Sequence, residues 1–177
     1  MKLIETLEKN NKDFSDAWKI YEEAFPADER RRLGDLIKLF GNKSHNFYSA
    51  YDKDSLIGIL ETWNFGSFAL IEHVAIKKEL RNQGRGTRLL KKFIRENKKF
   101  IIAEAERPET KIAERRIDFW RRVNFKINKY NYVQPTYSKD KNPVPMFLVS
   151  YPKLINKSEY PKIVDEIYKK VYGYCLK

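Results

Sequence analysis

The chain has 177 residues, 42% of them apolar and 34% charged, with 36 Lys and Arg against 24 Asp and Glu for a formal charge of +12. Length and apolar share suit one globular domain over residues 1–177 with a core of its own, and the charge favours polyanionic ligands such as phosphorylated cofactors, nucleic acid or acidic surfaces. A lone cysteine, Cys175, excludes an intramolecular disulfide and a cysteine-based zinc site, and no segment approaches the ~20 apolar residues needed to cross a bilayer.

The start, MKLIETLEKNNKDF, lacks the apolar stretch of a signal peptide, so a cytoplasmic protein with no membrane partner is expected. A short strand near Lys2 to Thr6 precedes an amphipathic helix with Phe14, Ala17, Trp18, Tyr21 and Phe25 at helical spacing, stopped by Pro26. The loop PADERRR leads to a second helix carrying Leu33, Leu36, Ile37 and Phe40 and closing at Gly41-Asn42. NFYSAYD, LIGILETW and SFALIEHVAI then read as an antiparallel meander, with turns at Asp52 to Ser55 and Asn64 to Ser67.

LRNQGRGTRLL follows, and Leu89, Leu90, Phe93 and Ile94 begin a helical face that ends before the strand KKFIIAEAE. Thr110 to Arg122 predicts a helix, NFKINKYNYV and PMFLVSY predict two late strands joined by a loop from Gln134 to Pro145, and the C-terminal helix spans about 158–172. The order of elements predicts a mixed α/β fold without internal repeats.

Strand, glycine loop, helix and strand form a βαβ unit whose helix N-terminus presents unpaired N–H groups to an anion. Gly84 and Gly86 remove Cβ atoms that would keep a pyrophosphate from the backbone, and Arg81, Arg85 and Arg88 add charge. The same glycines would equally suit a tight turn with solvated arginines. The spacing fits neither a P-loop nor a dinucleotide fingerprint.

The segment IEHVAIKKELRNQGRGTRLLKKFI resembles the acetyl-CoA-binding core of the GNAT superfamily of N-acetyltransferases. Arg81-Asn82-Gln83-Gly84-Arg85-Gly86 fits that family's Q/R-x-x-G-x-G/A signature, and the order of elements over most of the chain is similar. The resemblance implies a splayed, mostly antiparallel sheet of about six to seven strands flanked by helices. It also implies acetyl-CoA held by the backbone of Val74, Ala75 and Ile76 and by Arg81, Asn82, Gln83, Gly84, Arg85, Gly86 and Thr87, with no metal required. The acetyl group would pass directly to a small-molecule or peptide amine. Nucleic acid is disfavoured as a partner because the basic residues are spread along the chain, and a homodimer is allowed. A non-catalytic module binding an acyl-CoA or another polyanion is the alternative.

Strand alternation predicts Phe68, Leu70, Glu72, Val74 and Ile76 on one face and His73 on the other. Glu72 among apolar neighbours suits a general base, or else an ion pair with one of the arginines; His73 is a second candidate. Glu104 and Glu106 share a face of the next strand, where they could meet Glu72 in one cleft and bind a cationic substrate or relay its proton, which makes Glu104 a further catalytic candidate, or simply solvate a strand end near Arg107. Asp28 and Glu29 lie in a loop that in the family borders the acceptor site, and would equally suit a cap on the second helix. The family pattern Phe-Tyr-x-x-x-Gly-Phe reads FWRRVNF here, so Trp120 stands at the tyrosine that protonates sulfur and Asn124 at the glycine. Ala113 replaces an asparagine that contacts the cofactor in many members. An indole gives up no proton at neutral pH, which leaves Trp120 as a packing and cofactor contact and the acid step to Tyr130, Tyr132 or water.

Overall fold

The computed structural model describes residues 1–6 and 12–174. Cys175 lies outside them. Seven strands form one sheet in the order β1-β2-β3-β4-β5-β7-β6. They are β1 (Lys2–Glu5), β2 (His45–Asp52), β3 (Ser55–Asn64), β4 (Phe68–Ile76), β5 (Phe100–Glu106), β6 (Lys126–Gln134) and β7 (Val144–Tyr151). Among the described residues only β4 and β5 pair in parallel; every other pairing is antiparallel.

The helices are α1 (Lys12–Ala24), α2 (Leu33–Ile37), α3 (Arg85–Glu96), α4 (Lys111–Arg122) and α5 (Tyr160–Ile167). On one face of the sheet Leu90 and Phe93 of α3 and Ile117 and Trp120 of α4 pack on Leu60, Ile71, Ile101 and Ala103. On the other, Phe14, Ala17 and Tyr21 of α1 meet Phe47 and Ile59, while Val164 and Ile167 of α5 cover Trp63, Leu70 and Ile102. Thr110 caps α4 by accepting from the Ala113 N–H at 3.1 Å. Among the described residues no helix is long and apolar enough to cross a membrane.

Three expectations change. α2 ends at Ile37, not near Phe40, because Leu39 and Phe40 donate to carbonyls three residues back and tighten the chain toward Gly41. The C-terminal helix starts at Tyr160, with proline in its first turn, and passes at Tyr168–Tyr172 into a π-helical turn. The third change matters most for the site. Opposite β3, Ile71 pairs with Thr62 and His73 with Glu61, so Glu72 is an extra, unpaired residue. This β-bulge resets the alternation. Leu70, His73 and Ala75 consequently share the α1 and α5 face, Val74 and Ile76 point to the other, and Glu72 and His73 are not on opposite faces as alternation predicts.

β3 supports the bulged strand closely. A Cβ at Gly58 would lie 2.3 Å from the Ala75 carbonyl oxygen and 2.9 Å from Ile76 Cδ1, so only glycine lets the strands approach there. We expect Gly58→Ala to lower unfolding free energy by about 1–3 kcal/mol in urea titrations, the cost of forcing the β4 backbone aside.

Candidate active site

Pairing between β4 and β5 runs only from Phe68 and Phe100 to Ile71 and Ala103. Beyond that point the strands diverge around a cleft of about 670 Å³. Glu72 to Ile76 form one wall, and Glu104, Ala105 and Glu106 the other. The cleft continues to Arg81, Asn82, Gly84, Arg85, Gly86 and Thr87 at the start of α3 and to Trp120 on α4. Each residue expected to act as base or to bind the cofactor meets this cleft except Gln83, whose side-chain amide donates to the Glu79 carbonyl and accepts from Arg85 Nε; Asp28 and the acid candidates Tyr130 and Tyr132 do not line it.

The two glycines have separate reasons. Gly84 sits in the left-handed region at φ +70°, where an added Cβ would meet no protein atom within 4 Å, so the turn's conformation demands it. A Cβ at Gly86 would stand 3.2 Å from Phe119, so this residue lets α3 and α4 approach. No side chain caps α3, and its first-turn N–H groups are left to the cleft. The arginines contribute less direct charge than expected. Arg85 and Arg88 reach Asp52 at 2.8 and 3.0 Å, and Arg81 Nε donates to the Ile76 carbonyl at 2.9 Å.

Behind the bulge lies a buried charge network that sequence reasoning missed. Arg31, only 6% exposed along its side chain, donates through Nη1 to Glu72 and, at 3.4 Å, to Glu61; its Nη2 donates to the Val171 carbonyl at 2.8 Å. Its guanidinium lies over the rings of Tyr137 and Trp63, 4.6 and 5.6 Å from their centroids. Burial opposes its charge, but Glu72 and Glu61 outweigh that and hold it more firmly protonated than a free arginine. Glu72 also accepts from Trp63 Nε1 at 2.6 Å and Tyr137 Oη at 2.7 Å. The Arg pairing anticipated for Glu72 is present. His45, Glu61 and Glu72 hold ligand-type atoms within 4.8 Å of one another, yet Arg31 already supplies the cation between both carboxylates.

His73 is fixed at both nitrogens. Nε2 donates to the Glu29 carbonyl at 2.8 Å and Nδ1 bonds a Glu61 oxygen at 2.7 Å, two acceptors that together require an imidazolium. Burial works against that charge, and the Glu61 hydrogen bond and charge overcome it, raising the His73 pKa. Glu61 is likewise buried, but hydrogen bonds from His45 and His73 keep it below the usual carboxylate range. His73 thus anchors the loop carrying Glu29 and has no nitrogen lone pair free to accept a proton.

Glu104 differs from both. It accepts from the hydroxyls of Tyr132 and Tyr172 and from Gln134 Nε2, with no cation in ion-pair range among the described residues. Burial pushes its pKa up to about 6. Tyr132, Tyr137 and Tyr172 are pushed well above the usual phenol range by burial and then by the neighbouring carboxylates, so they stay donors. Tyr130 instead packs against Tyr160, 4.4 Å between ring centroids. Glu106 pairs with Arg116 at 2.6 Å, and Glu29, which lines the same cleft, has its pKa raised to about 7 by burial and then by Glu106. Trp120 packs between Phe119 and Phe125, with centroid separations of 5.5 and 4.9 Å.

This arrangement has relatives. The model of the acetyltransferase (GNAT) family matches residues 11–125. The chain belongs to that family. A solved structure from Bacteroides thetaiotaomicron, provisionally assigned to the GNAT acetyltransferases, superposes with a TM-score of 0.92 at 28% identity, covering 98% of this chain and 99% of that one. The Bacillus subtilis protein YjbC, which carries a provisional acetyltransferase name, is 22% identical over 154 residues, 86% of this chain and 79% of YjbC. A GNAT acetyltransferase from Elizabethkingia anophelis with acetyl-CoA bound shares the fold at a TM-score of 0.56 and 16% identity, covering 84% of this chain and 95% of that one. The family match stops before β6, so the Gln134, Tyr137 and Tyr172 side of this GNAT cleft comes from a part of the chain it does not cover.

Arg31 is the charge on which this site's geometry rests. Arg31→Met should cost about 3–5 kcal/mol in urea unfolding, because Glu61 and Glu72 remain buried without their cation. Arg31→Lys should recover only part of that, since an ammonium cannot hold both carboxylates and the Val171 carbonyl in a planar fork.

Proposed function

We propose that this protein transfers the acetyl group of acetyl-CoA directly to a primary amine. The observation that carries the reading is the continuity of one cleft, from the uncapped α3 N-terminus to the buried carboxylate of Glu104. The α3 end suits a pyrophosphate: N–H groups of Arg85, Gly86 and Thr87 face an anion at the positive pole of the helix, and Gly84 keeps the approach clear. The wall of Val74, Ala75 and Ile76, unpaired with β5, suits an extended pantetheine chain. The acetyl-CoA-bound Elizabethkingia anophelis GNAT structure supports this choice of donor. Bound there, acetyl-CoA would supply a thioester carbonyl open to attack by an amine.

The amine must lose a proton as it attacks, and Glu104 is the group we assign to take it. Glu72 is fully engaged by Arg31, Trp63 and Tyr137, and His73 has no lone pair to offer. Their role is to position the walls. Trp120, enclosed by Phe119 and Phe125, gives shape to the cleft and supplies no acid.

Calorimetry tests the donor site. Gly84→Glu, adding bulk and negative charge, should abolish acetyl-CoA binding, whereas Gly84→Asn, which tolerates left-handed backbone without the charge, should weaken it less. Unchanged affinity in a folded Gly84→Glu variant would remove the basis for the reading.

Thioester consumption with primary amines and peptides tests the chemistry. The single-turnover rate should climb as pH rises through about 6, the value of Glu104, because the base acts once ionised. Glu104→Gln should remove that limb and slow the step by about 10²- to 10⁴-fold with acetyl-CoA affinity retained.

A further inference from the structure

We propose that the acceptor is a linear diamine, its reacting nitrogen between Gln134 Oε1 and Glu104 and its second ammonium on the carboxyls of Glu29 and Glu106. The proposal rests on the acetyl-transfer reading and narrows it to one class of amine.

The first observation is an orphaned acceptor. Gln134 is 2% exposed and lines the cleft, and its Oε1 has no hydrogen-bond partner among the described residues. Its orientation is fixed by chemistry. Nε2, with two hydrogens to give, has Glu104 at 3.3 Å, Tyr137 Oη at 3.3 Å and Tyr172 Oη at 3.1 Å as acceptors, and a flipped amide would turn oxygen against the Glu104 carboxylate. A buried carbonyl oxygen left in this way calls for a donor. An N–H placed there lies beside the carboxylate that would receive its proton.

Charge supplies the second observation. Of four cleft glutamates, Glu72 is answered by Arg31 and Glu106 by Arg116, while Glu104 and Glu29 make no ion pair among the described residues. Both lie on the side of the sheet away from α3. The cleft arginines Arg81, Arg85, Arg115, Arg116 and Arg122 belong to the glycine loop, α3 and α4. A chain of net charge +12 therefore keeps two carboxyls without an ion pair, among the described residues, on the side where an acceptor would enter.

Spacing then sets the length. Glu104 and Glu106 are two residues apart on one face of β5, ~7 Å along the strand, which an alkyl chain of roughly four or five carbons spans between nitrogens. Glu29 and Glu106 both line the cleft, and an ammonium at that end would face the Glu29 carboxyl, which makes no ion pair among the described residues, and the Glu106 carboxyl, which it would share with Arg116. A monoamine reaches only one of the two ends.

The test compares straight-chain α,ω-diamines of three to seven carbons with butylamine, by steady-state kinetics with acetyl-CoA and by calorimetry on the CoA-loaded protein. We expect four- and five-carbon diamines to exceed butylamine in kcat/KM by about tenfold or more. Glu29→Gln should bring that ratio close to one, and Gln134→Met should weaken diamine binding by a similar factor; the acetyl-CoA affinity of each variant reports that it is folded. Diamine binding that depends on Glu29 and Gln134 without acetyl transfer would uphold the acceptor pocket and overturn the transferase reading. Butylamine turned over as well as any diamine, or a ratio unmoved by Glu29→Gln, would overturn the diamine proposal and leave the transferase standing. Failure of every diamine to bind would overturn the proposal outright.

Discussion

One guanidinium organises this molecule. Arg31 leaves the loop after α1, enters the sheet's α1 and α5 side, and ends between Glu61 of β3, Glu72 of β4 and the Val171 carbonyl of the C-terminal π-helical turn. A buried ion pair adds little net stability when compared with well-packed apolar groups, but removing one member leaves the other charges stranded. Its effect here is to fix geometry. Each of its partners belongs to a different element, so the loop, both strands and the C-terminal turn take their relative positions from one planar group.

The bulge at Glu72 and the end of β4–β5 pairing at Ile71 belong together. A single additional residue turns Glu72 and His73 to one side of the sheet just where β5 ceases to be a neighbour. The strand is then held from the β3 side alone, closely enough that Gly58 tolerates no Cβ. Its outer edge is left for a ligand backbone, while Glu72 and His73 spend their hydrogen-bonding capacity inward. The residues beside the bulge build the walls, and the carboxylate across the gap, embedded in tyrosines, has the environment suited to proton transfer.

Much of this was legible in the sequence. The strand and helix order, the glycine loop, and the convergence of Glu72 and Glu104 follow from periodicity and from the family resemblance. The bulge was not legible, because one inserted residue leaves composition and hydrophobic pattern intact while reversing every face beyond it. Arg31 was hidden for another reason. It stands in Arg30-Arg31-Arg32, where Arg30 bonds the Phe25 carbonyl and Arg32 pairs with Asp140 at the surface. Nothing local distinguishes the middle one; its burial is decided by Glu61 and Glu72, 30 and 41 residues away. Gln134 and Tyr137 similarly gain meaning only when β7 inserts between β5 and β6 and carries their loop to the cleft, and Tyr172 only when the C-terminal turn packs beside them.

The contact between Arg31 and the Val171 carbonyl joins positions 140 residues apart. On the ribosome, where the chain emerges from its N-terminal end, Glu61 and Glu72 appear long before the turn that closes over Arg31. Until residue 171 can fold back, Arg31 lacks the carbonyl that closes over it and the back of the cleft is missing Tyr172. The site is therefore completed only when residues 171 and 172 arrive, and a nascent chain arrested before them would display strands without a completed site.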